Sequence, residues 1–152
     1  MQRLFISAML LASALLAACA SKTKIEDACA DQMTQGGMNE CQFRQWQATD
    51  AKMNDAYDML MERVKTFYGD LSTSDAEPVV PAEDELLRRS QIAWIDYRDT
   101  HCAFVAGATE GGSVQPMIRA ICLTELTEKR TRELNWQLAC PEGDLACVAP
   151  KR

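Results

Sequence analysis

The chain has 152 residues and a formal net charge of −6, with 22 acidic side chains against 16 basic ones. That length suits one domain once a leader is removed. The acidic balance excludes nucleic acid and anionic lipid surfaces as favoured partners, and points to basic partners through an attraction that weakens in salt.

The first element is a leader. Met1 to Arg3 carries one positive charge, and Leu4 to Leu16 is an apolar run too short to span a bilayer but of signal-peptide length. The run ends in Leu16-Ala17-Ala18-Cys19, which looks like a lipobox, where a cysteine thiol receives diacylglycerol and the chain is cut before it. The competing reading is an ordinary signal peptide cut after Ala18 or Ala20. Several acyl chains on Cys19 would hold a membrane far more firmly than a single myristate. Ala20 stands where an Asp would usually retain such a protein at the inner membrane. The expectation is therefore a lipid-anchored envelope protein on the outer membrane, facing the periplasm. It has residues 1–18 as leader and 19–28 as lipidated linker. Loss of Arg3 moves the net charge from −6 to about −7.

Three helices are predicted next. Trp46, Met53, Tyr57, Leu60, Val64 and Phe67 form one stripe at helical spacing, with Asp50 interrupting it. Gly69 is expected to end this helix, because it adopts the left-handed conformation that other residues resist. A loop, Asp70 to Val80, is rich in Ser, Thr, Asp and Pro. Pro81 suits the first turn of the second helix, and Glu83, Asp84 and Glu85 complement its positive end. Leu87, Trp94, Ile95, Cys102 and Val105 make its apolar face. Gly107, Gly111 and Gly112 break the pattern, and Ser113 is the expected N-cap of the third helix. Met117, Ile118, Ile121, Leu126 and Leu134 carry that helix to about Leu138, where Pro141 and Gly143 stop it. Short connections predict an up-down-up bundle.

Setting Cys19 aside leaves six of the seven cysteines, an even number that reads as disulfides in an exported chain and allows fifteen pairings. Cys102 and Cys122 sit about 10 Å on either side of the Gly-rich turn, level with each other across the hairpin. Cys140 lies at the opposite end with Cys147 as its natural partner, which leaves Cys29 for Cys41. A swap between Cys29/Cys41 and Cys102/Cys122 stays open, because all four lie near one end. The fold class is thus all-α: a disulfide-stapled three-helix up-down-up bundle following a signal peptide. Residues 29–139 form the helical domain and 140–152 a disulfide-closed tail.

The motifs Asp50-x-x-Met53-Asn54-x-x-Tyr57, Gln91-x-x-Trp94-Ile95-x-Tyr97-Arg98-Asp99-x-x-Cys102, Gly111-Gly112-Ser113 and Cys122-x4-Thr127-x-x-Arg130-x3-Leu134 closely resemble the LprI-type domain, formerly a domain of unknown function. The resemblance covers about residues 29–138. Met53 replaces the more usual Leu, and the Cys140–Cys147 tail lies outside the pattern. The family is named for lysozyme inhibition, which the resemblance implies here.

Read physically, Asp50 and Asn54 share one helix face, as do Gln91, Trp94 and Arg98. Arg98 falls on the apolar stripe and needs an acidic or carbonyl partner, for which Asp50 is the obvious candidate and to which Arg130 could be added. A polar network that sets helix register is the favoured reading over a binding spot. His101, the single histidine, stands beside Cys102, but a thiol committed to a disulfide is no nucleophile. No zinc-type or haem-type cysteine spacing occurs, and Ser72 and Ser90 lack a triad context. Neither enzyme activity nor a cofactor or metal is expected.

The stretch from Asp70 to Glu85 holds Asp70, Asp75, Glu77, Glu83, Asp84 and Glu85 without a Lys or Arg between them. The bundle topology puts it away from the lipidated end. Given the resemblance, it is a candidate surface for a basic protein such as lysozyme. The plainer reading is a solvated loop whose acids suit a helix N-terminus. Two functions follow as expectations: a binding inhibitor of a basic cell-wall hydrolase, or a non-enzymatic envelope scaffold with another protein partner.

Overall fold

The computed structural model of the protein describes Cys29, residues 31–71 and residues 82–150, with the backbone alone for Asp70 and Leu71. The leader, Cys19, the linker, Asp75, Glu77 and Pro81 lie outside the described residues. Three helices make up the body: α1 (Gln35–Leu71), α2 (Glu83–Gly107) and α3 (Gln115–Ala139), with no β-strand among the described residues.

With 37 residues, α1 is about 55 Å long. Thr34 closes its start, its hydroxyl accepting the Gly37 N–H at 3.0 Å, which satisfies a donor the first turn would otherwise leave free. Its far end departs from expectation. Gly69 stays inside the helix, which runs on to Leu71. A glycine weakens a helix by about 1 kcal/mol relative to alanine but does not by itself break one.

The other boundaries follow backbone chemistry. The first turn of α2 carries Glu83, Asp84 and Glu85, and Ala82 caps it without a side-chain bond. Between α2 and α3, Gly111 takes a φ of 75°, the left-handed conformation that lets the chain reverse. Ser113 does not cap α3. Val114 holds that place without a side-chain bond, and Pro116 in the first turn pre-sets the helix. The Ser113 carbonyl instead accepts the Asn39 side-chain amide at 2.9 Å, tying the turn to α1.

The tie points establish the topology. Asn39 meets Ser113 near the starts of α1 and α3, and Arg63 donates to the Leu138 carbonyl near their ends, so these two helices run parallel. Asp50 meets Arg98 while Met53 meets Gln91, and Gln91 meets Arg130 while Cys102 meets Cys122, so α2 runs against both. The bundle is up-down-up. The disulfides are Cys29–Cys41, Cys102–Cys122 and Cys140–Cys147, so the alternative swap does not occur.

The helices contribute unequally to the core. Met53, Ala56, Leu60 and Val64 of α1 bury against Leu134 and Leu138 of α3 and Ala149 of the tail. Each of the larger side chains contributes about 2 kcal/mol by leaving water. By contrast, the residues that α2 buries are Gln91, Arg98, Cys102 and Ala106. Its predicted apolar face (Leu87, Trp94, Ile95, Val105) is only half-buried apart from the cysteine. A disulfide and polar side chains therefore hold α2 in place more than aliphatic packing does.

Past Cys140 the chain folds back over the end of the core. Tyr68 donates its hydroxyl to the Val148 carbonyl at 2.8 Å, Gln137 bonds both the Ala146 carbonyl and the Val148 N–H, and Ala149 is fully buried. The tail is a strap closed by its own disulfide.

Candidate functional site

A polar belt crosses the middle of the bundle. The Arg98 side chain is 6% exposed; its Nη1 donates to Asp50 Oδ1 on α1 at 2.6 Å, and its Nε donates to Asp99 Oδ1 at 2.8 Å. A longer bond of 3.4 Å reaches the buried Thr127 hydroxyl on α3. Asn54 donates to the other Asp50 oxygen at 3.2 Å, which fixes that carboxylate. Arg130 donates through Nε to the Gln91 side-chain oxygen at 3.0 Å, while its Nη1 reaches Glu133 at 3.1 Å and its Nη2 reaches Ser90 at 3.4 Å. The Gln91 amide in turn meets the Met53 sulfur at 3.5 Å. Trp94 serves both cations, with the Arg98 guanidinium 5.2 Å and that of Arg130 5.9 Å from its ring centroid. A guanidinium over an indole face gains electrostatic attraction where water is scarce. The belt thus joins Asp50, Asn54, Gln91, Arg98 and Arg130, together with Thr127, Asp99 and Ser90.

Every charge in the belt is used internally. Arg98 faces two carboxylates and Arg130 one, so the arrangement suits the setting of helix register rather than proton transfer. His101 stacks on Tyr97 at 5.4 Å, and the neighbouring Cys102 sulfur is bonded to Cys122, so the two residues form no nucleophile–base pair. Cys140, Asp144 and Cys147 come within 4.8 Å of one another, but both sulfurs are spent in a disulfide and offer no thiolate to a metal.

The second feature is a groove at the opposite end from Cys41. It lies between the first half of α2 and the second half of α3, with a volume of about 1010 Å³. Leu60, Val64 and Leu134 make its floor, and Tyr68 and Val148 close one end. Leu86 of α2 and Trp136 of α3 line it while remaining 48% and 49% exposed. The groove exists because α2 brings no fully buried aliphatic side chain to this half of the bundle.

The acidic stretch enters here. Glu83 lines the groove, and Asp84 follows it in the first turn of α2. Neither forms an ion pair among the described residues. Glu85 differs: Arg88 grips both its oxygens at 2.7 Å and holds its carboxyl below the usual range. Burial pushes the Tyr68 hydroxyl pKa up, and the nearby Glu83 carboxylate adds to the shift. From Cys41 to Tyr68 the chain runs 27 helical residues, so this end stands about 40 Å along α1 from the Cys29–Cys41 bridge. The side chain of Asp70, and all of Asp75 and Glu77, fall outside the described residues.

Sequence reasoning passed over the groove residues Leu86, Trp136 and Val148. The available signal was that Leu86 and Trp136 lie off the apolar stripes of their helices. It also missed Thr127, Asp99 and Ser90 as belt members, although Asp99 and Ser90 each lie beside a residue already assigned there.

The family described as lysozyme inhibitor LprI matches residues 26–134. An uncharacterized protein of Rhizobium meliloti (strain 1021) is 34% identical over 109 residues, which cover 72% of this chain and 77% of that protein. No solved structure matches.

Proposed function

This chain belongs to the lysozyme inhibitor LprI family, and from that membership we propose that it is a non-enzymatic protein that binds and blocks a basic, lysozyme-type cell-wall hydrolase. The observation that carries the reading is the span of the match. It takes in all of α1 and α2, most of α3 and both disulfides that brace the start of α1 and the α2–α3 turn.

The chemistry is consistent with such a role. A net charge of −6 steers a basic partner towards the protein, with an on-rate that falls as salt rises. The belt commits its polar groups to holding the helices, which leaves a rigid body suited to recognition. In the proposed setting Cys19 carries the lipid and anchors the protein to the outer membrane. The start of α2, with Glu83 and Asp84, then stands at the end of the bundle away from the Cys29–Cys41 bridge and meets the enzyme.

The test is enzymatic. Purified mature protein, titrated into a basic lysozyme acting on peptidoglycan, should suppress turnover stoichiometrically at low salt and less well at high salt. Neutralising Asp75, Glu77, Glu83 and Asp84 together should weaken it. Undiminished turnover at a large molar excess of the protein at low salt would end the proposal.

A further inference from the structure

We propose that the groove between α2 and α3 is the surface that receives the hydrolase. Its occupant is a basic protein that inserts an apolar side chain between Leu86 and Trp136 and places a lysine or arginine beside it against Glu83 and Asp84. The inference rests on the inhibitor reading above and gives that reading an address.

Three observations carry it. The groove is open, yet it is floored by buried aliphatic residues and walled by two large apolar side chains left about half exposed. An exposed tryptophan on a concave apolar surface is the kind of anchor that dominates protein interfaces. The charges at the rim are sorted. On the α3 side Arg130 and Glu133 neutralise each other, leaving Arg132 as a cation without an ion pair among the described residues. On the α2 side Glu83 lines the groove and Asp84 is the next residue of the helix, outside the lining; neither acid has an ion pair among the described residues. A partner's basic group is therefore repelled from one wall and attracted to the other, which orients it. Finally, the chain as a whole is acidic, so the approach of a basic protein is favoured before contact.

The outer face of α2 provides a control. Ile92 and Tyr97 are each 54% exposed, and neither lines the groove. Loss of affinity through general surface greasiness would affect them equally.

The experiment uses the mature full-length protein and a basic animal lysozyme as probe, with affinity measured by titration calorimetry. Leu86→Ser and Trp136→Ala should each weaken binding about thirty-fold, the scale of an interface hot spot. Ile92→Ser and Tyr97→Ser should change it less than about three-fold. Hydrogen exchange on the wild-type complex needs no variant, and protection should fall on residues 83–90 and 132–137. Protection confined to the first turns of α1 or to the α2–α3 turn overturns the groove. So does wild-type affinity in both groove variants, even where the wild-type protein inhibits normally. A wild-type protein that does not bind the enzyme at all removes the inhibitor reading, and the groove assignment with it.

Discussion

Asp50→Asn is the substitution that most directly tests how α2 is held. Asp50 is the carboxylate that reaches Arg98 from another helix, at 2.6 Å, and its side chain is 28% exposed. Asp99 also contacts Arg98 at 2.8 Å, but it is the next residue on the same helix and is 46% exposed. Stripping a buried charge of its partner costs about 3–5 kcal/mol. Here Asp99 stays behind as a second carboxylate, so the loss for Asp50→Asn should be about 2 kcal/mol. Asp99→Asn removes a local, half-exposed pair and should cost under about 1 kcal/mol. At about 3–5 °C per kcal/mol for a domain of this size, the first substitution lowers Tm by about 6–10 °C. The assay is urea unfolding with the disulfides intact, followed by circular dichroism at low and at high salt. The buried cross-helix pair should respond little to salt. Equal effects from Asp50→Asn and Asp99→Asn, within about 0.5 kcal/mol, would refute a belt that works by joining helices.

Other perturbations address the remaining supports. Replacing both Cys102 and Cys122 by serine opens a loop of sequence separation 20 and should cost about 3 kcal/mol, while the same change at Cys140 and Cys147, separation 7, should cost about 2.4 kcal/mol. Unfolding midpoints of the two double variants check the order. Leu60→Ala, at a buried position where α1 meets α3, should lose about 2–4 kcal/mol in the same measurement. Tyr68→Phe removes the bond to the Val148 carbonyl and should cost about 1 kcal/mol at neutral pH. Because burial and Glu83 raise the Tyr68 pKa on folding, this stabilising contribution is complete below the ordinary tyrosine pKa of 10.0 and is lost as pH rises through the folded value. The wild-type protein should therefore lose more stability than the Phe variant between pH 9 and pH 11.

The architecture was legible where periodicity and thiol chemistry speak for themselves. The α1 stripe runs through Met53, Leu60 and Val64, and all three are buried. Helix rise alone placed Cys102 level with Cys122. What escaped were positions decided by a neighbour rather than by local pattern. Gly69 looked like a stop but remains helical. Ser113 looked like a cap, but Pro116 determines where α3 can begin, and the serine's carbonyl serves Asn39. On α3 the apolar reading favoured Met117, Ile118 and Ile121, which are half-buried, whereas Thr124 and Thr127 are almost wholly enclosed. Threonine can be buried there because Thr124 donates its hydroxyl to the Ala120 carbonyl one turn back, and Thr127 accepts from Arg98. The groove was invisible for a related reason. A cleft is the absence of a side chain, and only the assembled bundle reveals that α2 brings none to fill it.

The two ends of the molecule consequently differ in kind. At the α2–α3 turn, Cys102–Cys122 locks the two helices and Cys29–Cys41 fixes the chain's entry beside the start of α1. At the other end no disulfide reaches α2, and the belt is the last firm attachment before the groove opens. By tying α2 to α3 in the free protein, the belt would spare the proposed partner the ordering cost of shaping its own site, and such preorganisation raises affinity without adding contacts. The family match ends at residue 134, whereas Trp136, Gln137 and Val148 lie beyond it on the groove's rim. The floor and the α2 wall are thus family structure, whereas the last turn of α3 supplies Trp136 and Gln137 to the rim and the strap that Cys140–Cys147 closes supplies Val148.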